Sequence, residues 1–139
     1  LSESGEQKIR ARMAEAFAAW APGLRRIVGE GDFIGIRPMY AMPIGTRWVT
    51  RPGVTLLGDA AHLMSPFSGE GVNLALADAL DLAEALTQAI GMESIGAYEA
   101  AMAARAEIAA TRAAAGMASI FSDDGPGSVL TQFQARIQT

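Results

Sequence analysis

Two long stretches of the chain carry apolar residues at the three- and four-residue spacing of an amphipathic helix. The first runs from Val72 to Ile90, with Asp81, Glu84 and Gln88 predicted to face outward. Its predicted apolar stripe consists of Val72, Leu76, Ala79, Ala83, Leu86 and Ile90. The second runs from Ser94 to Phe121, and its many alanines favour a helix that packs closely on a neighbour. Its predicted apolar face consists of Ile95, Tyr98, Met102, Ala106, Ala109, Ala113, Met117 and Ile120.

Shorter helical patterns lie near both ends of the sequence. Glu6 to Trp20 is predicted as a helix, and Leu24 to Val28 as a further turn beyond the Pro22-Gly23 interruption. A short closing helix is indicated by Leu130, Phe133 and Ile137. These predicted helices precede and follow the two long helices in the sequence.

Two segments have the pattern of strands. Phe33 to Ile44 alternates in a way that favours a strand, although Pro38 and Pro43 indicate an edge, a bulge or a strand end. Val54 to Leu57 is a short apolar run with glycine on each side, which is typical of a strand covered on both faces. Strands followed by helices predict an α/β fold.

The loop between the second strand and the helix after it carries the candidate chemistry. Asp59 follows the strand directly, at the position where open α/β sheets place their ligands. Gly58, Gly69 and Gly71 lack side chains, so backbone N–H groups can approach a bulky polar group. The positive end of the next helix faces the same loop. We therefore predict a site for an electron-rich ligand, with Asp59 as a turn or helix cap being the alternative.

Composition removes several classes of function. The chain has 139 residues, a net charge of −4, no cysteine and a single histidine. These numbers argue against a nucleic-acid or anionic-membrane partner, against disulfides, and against a cysteine- or histidine-based metal site. No apolar run approaches the roughly 18 residues of a membrane span, so we expect a cytoplasmic protein. Arg105 and Arg112 are expected to pair with Glu99 or Glu107 on their own helix.

The loop also resembles a known family. Its GDAAH sequence (residues 58–62), Pro66, its GEGVN sequence (residues 69–73) and Asp78-Ala79 are similar to the second flavin-binding motif of FAD-dependent aromatic hydroxylases. The flanks look most like the tetracycline-modifying monooxygenase branch of that family. The segments that carry this second likeness are residues 17–20, 56–57, 98–121 and 123–125.

The resemblance implies a set of cofactor contacts. The matching aspartate, Asp59, accepts hydrogen bonds from hydroxyls of FAD, and the N–H groups after Gly69 point at the pyrimidine edge of the isoalloxazine. His62 shapes the loop through hydrogen bonds and does no acid–base work, and no catalytic side chain is assigned. The expected cofactor-binding residues are Gly58, Asp59, Pro66, Gly69, Gly71, Val72 and Asn73. The candidate substrate contacts, each of which could instead be ordinary core, are Phe67, Arg37, Met39, Met117 and Ile120.

We expect the chain to be the C-terminal portion of a two-domain FAD-binding hydroxylase fold with a long C-terminal helix. It begins with Leu1 and contains no G-x-G-x-x-G after a strand, whereas the family binds ADP-pyrophosphate in an N-terminal βαβ unit. Residues 1–48 would end the substrate domain, residues 49–91 would return to the FAD-binding domain, and residues 92–139 would brace the two. The N-terminal part of the protein would be its partner.

The reaction implied by the resemblance is reduction of FAD by NAD(P)H and insertion of one oxygen atom of O2 into an aromatic or polycyclic small molecule. Two alternatives stay open. Halogenases and isoprenoid reductases share a similar loop on the same scaffold. The chain could also be a non-catalytic module that only associates with its other half, in which case exposed apolar faces on Val54–Leu57 and on the helix from Val72 are expected.

Overall fold

The computed structural model describes residues 3–88 and 91–137. The chain divides into two compact units, Leu1–Pro38 and Met39–Thr139. Each unit is held together by helix packing and by side-chain hydrogen bonds. Within the described residues, no helix has both the length and the apolar character that crossing a membrane requires.

The first unit is a pair of helices, α1 (Glu3–Ala16) and α2 (Pro22–Glu30). Arg10 joins them: its guanidinium is 2.8 Å from Glu6 and donates to the carbonyls of Gly29 and Gly31. The predicted helix to Trp20 therefore ends earlier, at Ala16, and the predicted turn at Leu24–Val28 is a full helix. Pro22 suits the start of α2 because its missing N–H would have no helical partner there.

The second unit is built around one long helix. Its elements are α3 (Asp59–His62), a 3-10 turn (Pro66–Ser68), α4 (Gly71–Gln88), α5 (Met92–Ile120) and α6 (Gly125–Ile137). The helix α5 packs against all of the others. The helices predicted over Ser94–Phe121 and at the closing segment are confirmed. The predicted end of the other long helix, at Ile90, lies outside the described residues.

The packing face of α5 follows the predicted pattern over its central turns. Tyr98 and Met102 form a small core with Ala61, against which Trp48 and Leu82 pack. The predicted positions that are buried are Tyr98, Met102, Ala106, Ala109 and Ala113. The small side chains on this face let neighbouring backbone approach closely, as its alanine content indicates.

The predicted strands are wrong for the part of the chain that the structure describes. Residues 33–44 lie outside any strand, and Val54 forms only an isolated antiparallel bridge with Arg51. A strand needs a neighbouring strand to satisfy its backbone groups, and the described residues offer none. Side chains hold the second segment instead, because Tyr98 Oη donates to the Leu56 carbonyl at 3.0 Å and Thr55 Oγ1 to Glu99 at 2.8 Å. The described residues are therefore mostly helical.

The predicted apolar stripe of α4 is also wrong as a buried face. Val72 and Leu76 are 74% and 67% exposed, whereas Leu74 and Asp78 are buried. The helix α4 carries apolar residues of its own on all of its faces, so the periodicity of the sequence alone could not identify the packed face. The packed face is centred on a carboxylate. Val72, Leu76 and Leu86 of the predicted stripe are left on the surface, as are Val54, Leu56 and Leu57.

Replacing Tyr98 by phenylalanine is expected to lower the free energy of unfolding by about 1 kcal/mol. The change removes the 3.0 Å hydrogen bond to the Leu56 carbonyl and keeps the ring. Urea unfolding at pH 7 measures the effect. The matched control is Tyr40→Phe, since Tyr40 is 71% exposed; an equal loss in both variants would contradict the assigned role.

The same pair of variants has an expected pH dependence. Burial, with the nearby Asp78 charge, raises the pKa of Tyr98 to about 12 from an ordinary 10.0. A pKa raised by folding means that Tyr98 contributes its full stability below pH 10 and loses it as the pH rises through 12. The difference in stability between the wild type and Tyr98→Phe should therefore shrink over that interval.

Candidate functional site

The loop that carries Asp59 has a backbone that only glycine adopts readily at its first position. Gly58 has φ of 58° and ψ of −141°, and a Cβ there would lie 3.1 Å from the Cβ of Ala75. Two N–H groups, those of Ala61 and His62, donate to the Gly58 carbonyl at 2.9 and 3.0 Å. The loop therefore turns tightly against the second turn of α4, and Asp59 remains exposed at its outer side.

A buried carboxylate fixes both ends of this loop. Asp78, on α4, is completely buried. Its Oδ2 accepts the Gly58 N–H at 3.0 Å and lies 2.5 Å from His62 Nε2, while its Oδ1 accepts from Arg105 at 3.0 Å. Asp59 is thus flanked in sequence by two groups that bind the same carboxylate.

The electrostatics of the cluster keep Asp78 ionised. Burial alone would raise its pKa, but hydrogen bonds from His62, Gly58 and Arg105 outweigh burial and lower the pKa below 3.8. Because an ionised carboxylate only accepts hydrogen bonds, His62 must carry a proton on Nε2. His62 Nδ1 is buried and has no partner among the described residues. This agrees with the predicted structural role of His62.

Arg105 completes the cluster from α5. It also lies 2.7 Å from Asp81, and burial, which alone would lower its pKa, is outweighed by the two aspartates, so its pKa is raised. The predicted pairing of Arg105 and Arg112 with Glu99 or Glu107 is therefore wrong. Arg112 is 3.4 Å from Glu70.

The two glutamates have other partners. Glu107 pairs with Arg47 at 2.7 Å, and Glu99 accepts hydrogen bonds from Thr50 and Thr55. The prediction considered only neighbours on the same helix, whereas each ion pair links α5 to a different segment. The clue that could have identified the cluster is Asp78 itself, a carboxylate midway along an otherwise apolar stretch of α4.

The first turn of α4 presents backbone donors to open space. The first backbone hydrogen bond of this helix runs from the Leu74 N–H to the Glu70 carbonyl, at 3.0 Å. The N–H groups of Gly71, Val72 and Asn73 therefore precede the helical ladder. Apart from the adjoining backbone, no heavy atom of the described residues lies within 4 Å of a Cβ built at Gly69 or Gly71. This open surface suits a large electron-rich group, with the exposed Asp59 available to hydroxyl donors.

The candidate substrate contacts on the 3-10 turn and on α5 lie at one end of the long helix. A Cβ at Gly116 would lie 3.0 Å from the Phe67 carbonyl, so the turn sits directly on α5. The Phe67 ring meets Phe121 edge-on at 5.4 Å. Met117 and Ile120, close by in sequence, are 40% and 42% exposed.

The other predicted site residues are more dispersed. Pro66 begins the 3-10 turn and is exposed. Arg37 belongs to the first unit and Met39 to the second, and both are exposed. The structure therefore groups the glycine-rich loops with α4, and Phe67 with the end of α5.

Comparison with known proteins adds a family. The FAD binding domain model matches residues 21–113. Monooxygenase asqM of Emericella nidulans is 43% identical over 79 residues, covering 50% of this chain and 18% of that protein. Monooxygenase penA of Penicillium thymicola is 34% identical over 96 residues, covering 62% of this chain and 22% of that protein. The dual O-methyltransferase/FAD-dependent monooxygenase CTB3 of Cercospora beticola is 34% identical over 113 residues, covering 77% of this chain and 13% of that protein.

These alignments are unequal in the two directions. Half or more of this chain is matched in each of the three, but the matched part is at most 22% of the relative. The chain thus spans about a fifth or less of the length of these relatives.

Gly58→Ala is expected to lower the free energy of unfolding by about 2–4 kcal/mol, because strain from the positive φ adds to crowding against Ala75. The control is Gly53→Ala, where φ is 75° but, among the described residues other than its chain neighbours, none has a heavy atom within 4 Å of the added Cβ. Denaturant unfolding of both variants separates the two effects. Equal losses would show that contact with Ala75 contributes nothing.

Proposed function

The chain belongs to the FAD binding domain family, and from this premise we propose that it is the flavin-contacting C-terminal part of an FAD-dependent monooxygenase. The observation that carries the proposal has two parts. Asp59 is an exposed carboxylate in a loop that buried hydrogen bonds fix, and the first turn of α4, which follows in the chain, has N–H groups that precede the helical hydrogen bonds. Relatives whose names include monooxygenase support the reaction class.

Asp59 is proposed to accept hydrogen bonds from cofactor hydroxyls. A carboxylate favours hydroxyl donors and repels phosphate, so it belongs beside the ribityl chain rather than the pyrophosphate. Its exposure leaves both oxygens accessible, and the hydrogen bonds of Gly58 and His62 fix the backbone on either side. Gly58 would contribute to FAD binding by allowing the tight turn at the start of the loop. Pro66 would contribute by restricting the backbone after the loop.

The first turn of α4 is proposed to face the pyrimidine edge of the isoalloxazine. Gly69 and Gly71 keep the approach open, and the N–H groups of Gly71, Val72 and Asn73 are available as donors. Bound FAD supplies the transfer of electrons from NAD(P)H and the activation of O2. The chain's own part is to hold the cofactor and to stabilise the negative charge it gains on reduction, by about 1–2 kcal/mol.

The substrate is proposed to be an aromatic or polycyclic small molecule. Phe67, Met117 and Ile120 provide apolar surface at one end of α5, beside the turn that leads to α4. Arg37 and Met39 are proposed as further contacts from the segment before the loop. The tetracycline-modifying branch is the proposed closest group, on the resemblance of the flanking segments.

In the complete protein, residues 1–48 are proposed to end the substrate domain, 49–91 to return to an α/β FAD-binding domain, and 92–139 to brace the two. The N-terminal part of the same protein is the proposed partner, and a cytoplasmic location fits this assignment. The segments around Phe33–Ile44 and Val54–Leu57 would pair as strands only within that larger sheet.

A second candidate is a module that associates with another polypeptide part without contributing to catalysis. The observation that favours it is the exposed apolar surface formed by the α4 stripe and residues 54–57. The two candidates differ in flavin content: the first predicts that substitutions in this chain alter FAD binding, and the second that they alter association alone.

Asp59→Ala in the complete protein is expected to weaken FAD binding about tenfold or more, because a charge-assisted hydrogen bond is lost. Titration of the apoprotein with FAD, followed by flavin fluorescence, measures the dissociation constant. Glu84→Ala, which removes an exposed carboxylate from α4, is the control and should bind FAD as the wild type does. Unchanged affinity in Asp59→Ala would remove Asp59 from the site.

Gly71→Pro is expected to make the bound flavin harder to reduce. Proline is tolerated at the first position of a helix, so the change removes one N–H and preserves α4. A loss of about 1 kcal/mol corresponds to a potential about 20 mV more negative for a two-electron couple. Gly71→Ala keeps the N–H and is the control. A potential that moves equally in both variants would contradict a role for this donor.

A further inference from the structure

Asp78 is the one completely buried carboxylate among the described residues, and it binds groups on both sides of Asp59. The Gly58 N–H precedes Asp59 and the His62 ring follows it, and both reach Oδ2 of the same side chain. The two contacts restrain the segment at its start, Gly58, and at its end, His62, on either side of the exposed Asp59. The position of the Asp59 carboxylate therefore depends on Asp78.

The cluster behind the loop is itself well anchored. Arg105 donates to the other oxygen of Asp78 at 3.0 Å and to Asp81 at 2.7 Å, so α5 holds the carboxylate from the opposite side. The loop also lies close to α4, because a Cβ built at Gly58 would be only 3.1 Å from the Cβ of Ala75. The loop is therefore held by hydrogen bonds at Asp78, with no room for a side chain at Gly58 on the side of Ala75.

We propose that Asp78 is a positioning residue for the flavin, which sets the dissociation constant of FAD by orienting Asp59 and does not touch the cofactor. The proposal rests on the proposed role of Asp59. Asp78 is completely buried, and both of its oxygens already accept hydrogen bonds from His62, Gly58 or Arg105, so it does not reach a ligand at the surface. Its effect on FAD must then pass through the loop.

A double-mutant cycle in the complete protein tests this inference. The variants are Asp59→Ala, Asp78→Asn and the two combined, and the readouts are the FAD dissociation constant, the number of sites and the melting temperature of the apoprotein. Asp78→Asn is expected to raise the dissociation constant about tenfold, because it removes charge-assisted bonds that hold the loop. The combined variant should bind FAD within about threefold of Asp59→Ala alone.

The matched control is Asp81→Asn. Asp81 also pairs with Arg105 and lies one turn along α4, but the hydrogen bonds that hold the loop among the described residues go to Asp78. Its FAD dissociation constant should stay within about twofold of the wild type. A purely structural role for Asp78 would lower the melting temperature and the number of sites without raising the dissociation constant of the folded fraction.

The outcomes separate the two proposals. If Asp59→Ala weakens binding and Asp78→Asn does not, the positioning role is wrong and the proposed site stands. If the two effects multiply in the combined variant, Asp78 acts independently of Asp59 and the inference fails. If Asp59→Ala has no effect, the proposed site itself fails.

A second variant covers the case in which Asp78→Asn does not fold. His62→Ala removes only one of the two contacts that hold the loop and leaves Asp78 paired with Arg105. It is expected to raise the FAD dissociation constant about threefold, and to add little further loss in the Asp59→Ala background. Wild-type affinity in His62→Ala would overturn the inference.

Discussion

The organisation of the second unit depends on one buried charge. Asp78 lies in the middle of α4, without solvent, and is tolerable there only because a backbone N–H, an imidazole and a guanidinium all donate to it. Removing one partner of such a buried group typically costs about 3–5 kcal/mol. The three donors come from the loop before α3, from the end of α3 and from α5, so the carboxylate aligns these elements with α4.

The long helix α5 supplies the surface on which this alignment rests. Its buried face is mostly alanine, with Tyr98 and Met102 as the larger members. Small side chains permit close approach, as at Gly116, where the Phe67 carbonyl leaves almost no room for a Cβ. Polar bonds then set the register: Tyr98 holds the Leu56 carbonyl, and Glu99 holds Thr50 and Thr55. The segment that leads into the glycine loop is thereby fixed without a sheet.

The sequence predicts well those features that depend on neighbours along the chain, such as helical periodicity. It misses features that depend on residues distant in sequence, such as strand pairing and buried ion pairs. The periodicity of α5 identified five of its buried residues, over the central turns, but it missed Glu99 and Ala103. It also assigned Met117 and Ile120, which are exposed, to the buried face. The strands at Phe33–Ile44 and Val54–Leu57 were predicted from alternation and composition, but pairing needs a neighbouring strand that the described residues lack. The apolar stripe of α4 misidentified its packed face because the deciding interaction, at Asp78, is electrostatic. The motif that identified the candidate loop included Asp78 but assigned no role to this carboxylate.

Hydrogen–deuterium exchange of the complete protein, measured with and without FAD, reports whether the loop and the first turn of α4 bind the cofactor. The N–H groups of Gly71, Val72 and Asn73 precede the first helical bond of α4, so they should exchange rapidly without cofactor. FAD is expected to slow exchange in peptides covering residues 58–62 and 71–73, with little change in α6. Protection confined to other parts of the protein, with both peptides unaffected, would mean that neither the loop nor the first turn of α4 holds the cofactor.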